Sequence, residues 1–342
     1  MPTASEQPPA DGSAPSRSQP PPTVYRSPAG EAELRALYDK VLASLPFPHE
    51  ERLVQTASFG TVLVMAAGPE GTTPLVIWHG MGAPSPFMLD FFKPLVESGR
   101  FRVYCADFPA QAGSRSEDPV EHEAFNHDTG RWCLEVLQAL KLAGRDAPSG
   151  PPPLHIGLSF GGATLLDLAV VAPESIRAAA LVVPGGLLAM DGWGVMLKVL
   201  LPSLLYRLLP CRWTGRLAMS PMVDEPDRDM SFILLSWRHI VRYPQLPGGQ
   251  GGFTSKQLRN FRAPALVIAA EHDCFWPGKA TAAAAERSLP GCRTVVLPGA
   301  KHLPAQHHME GTNKRLLGFF EEVVSGKARP RDVPAAPLAA EE

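Results

Sequence analysis

No two cysteines stand at C-x-x-C spacing, and the five present (Cys105, Cys133, Cys211, Cys274 and Cys292) are scattered and odd in number. That argues against a disulfide frame and against a cysteine zinc site, and reads as the free thiols of a cytoplasmic protein. Bulk charge is also missing: the formal net charge is −2, which points neither to nucleic acid nor to an anionic membrane surface. The N-terminal MPTASEQPPADG has no positive n-region and no apolar h-region, so it does not read as a secretory signal. The most apolar interior stretch, residues 194–209, is interrupted by Lys198, Pro202 and Arg207, which speaks against a membrane span. No internal repeat is visible.

What is present is ample core material: 342 residues, 45% of them apolar and 19% charged. Residues 1–27 are rich in Pro, Ser and Ala and read as a disordered leader; residues 327–342 read as a flexible tail. Between them short apolar runs alternate with helical patterns. Residues 54–68 read as a hairpin around Gly60; 74–80, 101–109, 179–186 and 263–273 read as further strands, 151–162 as a strand then a sharp turn, and 292–302 as a last strand running into a loop. Helical spacing appears within 120–142 (Phe125, Trp132, Val136, Leu140), in 163–173, in 279–289 and in 313–324. Short, nearly all-apolar strands alternating with helices predict an α/β fold: a mostly parallel central sheet flanked by helices. The segment 187–257 breaks this rhythm. It is helical, rich in Leu, Met, Trp and Pro, and is expected to form a cap over the carboxyl edge of the sheet, inserted before the last two strands. The core is then 28–186 and 258–326.

Chemistry concentrates in a few loops. Gly157-Leu158-Ser159-Phe160-Gly161 matches G-x-S-x-G between a strand and a helix. A nucleophile on that corner needs small neighbours, and the helix that follows points its first amides at a developing oxyanion. Without that context, the stretch is only a turn carrying a serine. A serine hydroxyl needs an adjacent base, and His302, in the loop after the final strand, is the expected one. His155, inside a strand, reads as a satisfied core histidine; His307 and His308 read as surface or packing residues at a helix start. Asp273, after the strand PALVIAA, is the expected acid that orients the base, with Glu271 the close rival and Asp191 a weaker one. The loop His79-Gly80-Met81-Gly82 could turn backbone amides inward, so the amides of Met81 and Phe160 are the expected oxyanion donors; alternatively HGMG is an ordinary glycine turn.

Taken in order, HGMG at 79–82, DFPAQAGSRS at 107–116, GLSFGG at 157–162, EHD at 271–273 and KH at 301–302 resemble the α/β-hydrolase fold superfamily, of the capped serine esterase type, over roughly residues 50–325. The second motif resembles the family's D-x-P-G-x-x-G-x-S loop, with Ala110 where glycine is usual. The resemblance implies a Ser159–Asp273–His302 triad acting on a small-molecule ester, thioester or lactone, with no cofactor and no metal. A serine at the elbow argues against the dehalogenase and epoxide hydrolase branches. A lyase or perhydrolase-like activity on the same fold, or a catalytically silent ligand-binding protein, are the alternatives. The insert's apolar residues (Leu200, Leu201, Leu204, Leu205, Tyr206, Leu208, Leu209, Trp213, Met219) suggest an apolar substrate portion or, for most of them, packing of the cap on the body. Lys198, Arg207, Arg212 and Arg216 read as a contact for an anionic group or as a solvated face. No partner besides the small-molecule acyl substrate is indicated: no nucleic acid, no membrane span, and a monomer or homodimer.

Overall fold

In the strand residues 73–78, Leu75 and Ile77 point to one face and Val76 and Trp78 to the other, and all four are buried. A strand apolar on both sides has to lie inside a sheet covered on both faces. The fold is seen in a computed structural model, which describes residues 24–109, 111–116, 126–145, 147, 149–225, 231–241, 246–248, 252–328 and 330. Of the sequence expectations, those on residues 1–23, Ala110, Phe125 and residues 331–342 lie outside the described residues.

The strands are β1 (His49–Gln55), β2 (Thr61–Ala67), β3 (Thr73–Trp78), β4 (Phe101–Ala106), β5 (Leu154–Leu158), β6 (Ala178–Val182), β7 (Ala265–Ala270) and β8 (Arg293–Leu297). The helices are α1 (Pro28–Ser44), α2 (Ser85–Phe91), α3 (Lys93–Glu97), α4 (Asp128–Ala139), α5 (Phe160–Val171), α6 (Gly192–Val195), α7 (Leu201–Leu208), α8 (Arg212–Met219), α9 (Ser231–His239), α10 (Gly278–Ser288) and α11 (Gln306–Val324). The last begins at Gln306, about two turns before the expected Asn313, because the loop residue Ala305 already takes the N-cap position.

The sheet order is β1-β2-β4-β3-β5-β6-β7-β8, antiparallel at β1·β2 and β2·β4 and parallel from β4 onward. One core layer, with Met88, Phe92, Leu316 and Phe320, lies under α2, α3 and α11. The other, with Trp132, Val136, Leu165 and Ala285, lies under α4, α5 and α10. Each such side chain withdrawn from water contributes about 1.5–3 kcal/mol. Because β3 is flanked by β4 on one side and β5 on the other, the chain reverses its direction of travel there. Loops at the carboxyl ends of β3 and β5 therefore part at that point and leave a crevice, the usual place for a ligand in such sheets.

His155 is the core histidine expected. Its Nδ1 accepts the Trp78 indole N–H (3.1 Å) and its Nε2 donates to Ser175 O (3.2 Å). Burial pushes its pKa down to about 4, so the ring is held neutral.

Between β6 and β7 the chain leaves the sheet. α6, a π-turn over Met196–Leu200 and α7 run on as one helical rod, followed by α8 and α9. Val195 and Val199 on the rod, with Met219, Met222 and Val223, are buried against Phe275 and Leu303 in the loops after β7 and β8. The opposite face of the rod differs from the sequence expectation. Leu200, Leu201, Leu204, Leu205, Leu208, Leu209 and Trp213 are exposed and do not pack the insert on the body. Only Met219 among the expected packing residues is buried, with Tyr206 half-buried. Among the described residues, no helix is long and apolar enough to cross a membrane. Val24–Ser27, next to α1, are tied down: Val241 N donates to Val24 O, Arg26 N to His239 O, and Ser27 Oγ caps α1 by accepting Gly30 N (3.1 Å).

Candidate active site

Ser159 sits at φ 53°, ψ −114°, a conformation that a residue with a Cβ adopts only when its surroundings impose it. Three hydrogen bonds impose it. Its N–H donates to Val182 O (3.0 Å), and its carbonyl accepts Gly162 N (2.9 Å) and Gly185 N (2.9 Å). The neighbouring glycines meet the expected need for small neighbours and not a need for left-handed backbone, for neither Gly157 nor Gly161 has positive φ. They are needed for close approach. A Cβ on Gly161 would stand 1.9 Å from Trp78 O, and one on Gly157 2.5 Å from Gly161 O. The elbow thus presses its backbone against β3 and α5, and the strained residue is the serine itself.

The strained corner points Ser159 Oγ at His302 Nε2, 2.9 Å away. His302 Nδ1 lies 2.7 Å from Asp273 Oδ2, and both side chains are buried. Since an ionised carboxylate can only accept, the imidazole carries its proton on Nδ1, leaving Nε2 to accept from the serine hydroxyl. Asp273 is itself fixed, its Oδ1 accepting Phe275 N (2.8 Å) and Trp276 N (3.1 Å). Phe275 packs edge-on to the imidazole with centroids 4.8 Å apart, and Trp276 lies on another side at 5.8 Å. The loops after β5, β7 and β8 therefore bring together the serine, acid and histidine singled out in the sequence.

The rivals for the acid lie elsewhere. Glu271 Oε2 accepts Gly299 N (2.9 Å) and Oε1 lies 3.5 Å from Lys279 Nζ, so this carboxylate braces the β8 loop at the surface; the Gly299 amide holds it below the usual glutamate range. Asp191 is exposed at the start of α6. Beside the acid, burial and the Asp273 charge push the Cys274 thiol up to about 12, so it is not poised to react.

The HGMG loop is organised by His79, which is fully buried. Its Nε2 accepts Phe108 N (2.8 Å), which leaves Nδ1–H to donate to Gly80 O (2.7 Å); burial depresses its pKa and keeps it neutral. Gly80 O also accepts Ala83 N (3.2 Å). In a trans peptide the N–H points opposite the C=O, so the Gly80–Met81 unit turns the Met81 N–H away from His79. The Ser159–Phe160 unit does the same, its carbonyl being held by Gly162 and Gly185. Among the described residues neither the Met81 nor the Phe160 amide has a protein acceptor. Gly80 lies against the serine: a Cβ there would be 3.5 Å from Ser159 Cβ. Gly82 is held at φ 69°, and its N–H donates to the buried Gln111 Oε1 (2.7 Å).

Three supports escaped sequence reasoning. Gln111, from the DFPAQAGSRS stretch, braces the HGMG turn. Asp107 accepts Ser85 N (2.8 Å), Ser85 Oγ (2.6 Å) and Arg115 N (3.0 Å), which fastens that stretch to α2. Asp224, at the end of α8's following turn, accepts Lys301 N (2.9 Å) and Ala305 N (3.0 Å) on either side of His302. An aspartate in an irregular segment 77 and 81 residues before the amides it binds carries no sequence signal; the parallel bridge Val223↔Leu303 brings it there.

Comparison with known proteins adds four observations. The model of the Alpha/beta hydrolase family matches residues 75–315. The chain is 23% identical over 301 residues to the "Uncharacterized carboxylesterase nap" of Bacillus subtilis (strain 168), covering 83% of this chain and 90% of that protein. It is also 23% identical over 296 residues to carboxylesterase YbfK of the same organism, covering 83% and 92%. Among solved structures, naproxen esterase (carboxylesterase NP) from Bacillus subtilis shares the fold with a TM-score of 0.69 at 20% identity, over 85% of this chain and 98% of that one.

Proposed function

The chain belongs to the α/β hydrolase family, and we propose that it cleaves a carboxylic ester, or a chemically similar thioester or lactone, by acyl transfer through Ser159, His302 and Asp273. The observation that carries this reading is the unbroken line from Ser159 Oγ to His302 Nε2 (2.9 Å) and from His302 Nδ1 to the buried Asp273 (2.7 Å). The similarity to carboxylesterases of Bacillus subtilis supports the same reading.

In the proposed sequence Ser159 Oγ attacks the carbonyl carbon as His302 Nε2 takes its proton. Asp273 stabilises the imidazolium so formed and keeps the ring in the productive tautomer. The carbonyl oxygen becomes an oxyanion, which the Met81 and Phe160 amides receive, aided by the amino end of α5. His302 then protonates the leaving alcohol, and in the second half-reaction draws a proton from water to release the acid. Every group used belongs to the chain. The five thiols, all free among the described residues, support a cytoplasmic location, and the chain acts as a monomer or homodimer.

A silent binding protein has no need of a strained serine aligned with a buried His–Asp pair, so the hydrolytic reading is preferred to it. The test is turnover of a short p-nitrophenyl ester by the purified chain: hydrolysis that Ser159→Ala abolishes is expected, and full activity in that variant overturns the nucleophile assignment. A lyase or perhydrolase-like enzyme would show little ester turnover while remaining sensitive to the same substitution.

A further inference from the structure

The helical rod of the insert buries Val195 and Val199 and turns an opposite stripe outward. Trp193, Leu197, Leu201, Leu204 and Leu208 recur at three- to four-residue intervals, and α8, which packs on α7, exposes Trp213 as well. Trp193 is 77% exposed, Leu208 75% and Trp213 65%. A water-exposed stripe of this length, ending in tryptophans, calls for a partner. Charge says which. After Asp191 at its start, the rod carries Lys198 and Arg207, and from Gly192 to Val223, a stretch that also includes Arg212 and Arg216 on α8, no carboxylate occurs, although the whole chain carries −2. Carboxylates resume only at Asp224 and Glu225, where Asp224 is fastened to the His302 loop.

We propose that this face is a docking surface for an anionic lipid bilayer, on which the rod lies in the interface plane with its leucines and tryptophans among the acyl chains and its cations among the headgroups. A strongly amphipathic helix with Leu and Trp on one side and Lys or Arg at its flanks is the composition that binds in this way, and anionic lipid adds attraction for each cation near the surface. A second copy of the chain is the poorer occupant. Face-to-face pairing would bring two such segments together, all cations and no carboxylate, in a setting where opposite charges are needed. The inner face of the same rod packs on Phe275 and Leu303, beside Asp273 and His302. One rigid element therefore carries the lipid-facing surface and roofs the site. The docking claim does not depend on Ser159 acting as a nucleophile.

The test is flotation of the full chain with vesicles of phosphatidylcholine, with and without phosphatidylglycerol, at low and at physiological salt, using Ser159→Ala alongside the wild type so that binding is read apart from chemistry. Both are expected to float with the phosphatidylglycerol vesicles, by roughly tenfold over neutral ones, and less at the higher salt. Leu204→Glu with Leu208→Glu is expected to lower binding by about tenfold or more. As an independent check, brominated acyl chains should quench wild-type tryptophan fluorescence, and Trp193→Phe with Trp213→Phe should remove most of that quenching. A wild type that stays with the soluble fraction, or binding indifferent to the leucine changes, overturns the proposal. So does a dimer in sedimentation velocity that the leucine changes dissociate, which would assign the face to a second copy.

Discussion

Replacing Ser159 by glycine should make the protein more stable than replacing it by alanine, although both changes remove the hydroxyl. The reasoning rests on φ 53°, ψ −114° at a residue with a Cβ. Backbone held in so sparsely populated a region costs on the order of 1–3 kcal/mol. Alanine keeps the Cβ and the strain; glycine relieves it, at an entropic cost of about 0.5–1 kcal/mol from its freer unfolded chain. Both variants lose the hydrogen bond to His302 (2.9 Å) equally, so it cancels from the comparison. Ser159→Gly should therefore exceed Ser159→Ala by about 1 kcal/mol at the middle of these ranges, a few degrees in Tm for a domain of this size. Urea denaturation and calorimetry of the two variants under identical conditions provide the measurement. Equal stabilities, or a glycine variant weaker than the alanine one, would refute the view that the backbone stores strain at the elbow.

Asp273→Asn should lower kcat by about 10³–10⁴-fold by offering His302 the wrong tautomer, while Glu271→Gln leaves it nearly unchanged; the reverse pattern would make Glu271 the acid. Gly161→Ala should destabilise the fold by about 1–3 kcal/mol or more, since the added Cβ meets a backbone carbonyl and not a side chain that can move, and an unchanged urea midpoint contradicts this. Folded His155 titrates at about 4 instead of 6.5, so on acidification the unfolded chain takes up a proton that the folded one refuses. Stability should be complete above pH 6.5 and fall as pH drops from there toward 4, with about 2 kcal/mol lost by pH 5. Urea midpoints at pH 7 and pH 5 check it: His155→Gln should show a shallower decline, and a wild type equally stable at both values counts against it.

Much of the site is legible in the sequence because each of its parts sits where a strand ends. Ser159 follows β5 directly, Asp273 and His302 lie in the loops just after β7 and β8, and an apolar run closed by a small polar cluster is what strand-end loops look like in any sequence. That the neighbours of Ser159 must be small is legible in G-x-S-x-G; what they make room for is not, and only the structure shows Trp78 O against Gly161. The Asp224 clamp is hidden by its separation from Lys301. The outer face of the insert is hidden from the sequence for a related reason. Helical periodicity reveals that 193–208 has an apolar stripe but cannot say which neighbour covers it, and a net charge of −2 averages away a segment with four cations and no acid.

The central claim is that Ser159 is an activated nucleophile. Labelling the wild-type chain with a fluorophosphonate probe and mapping the modified peptide tests it most directly. The account predicts a single adduct on Ser159, lost in Ser159→Ala and strongly slowed in Asp273→Asn. An unlabelled wild type, or an adduct on any other residue, would contradict it.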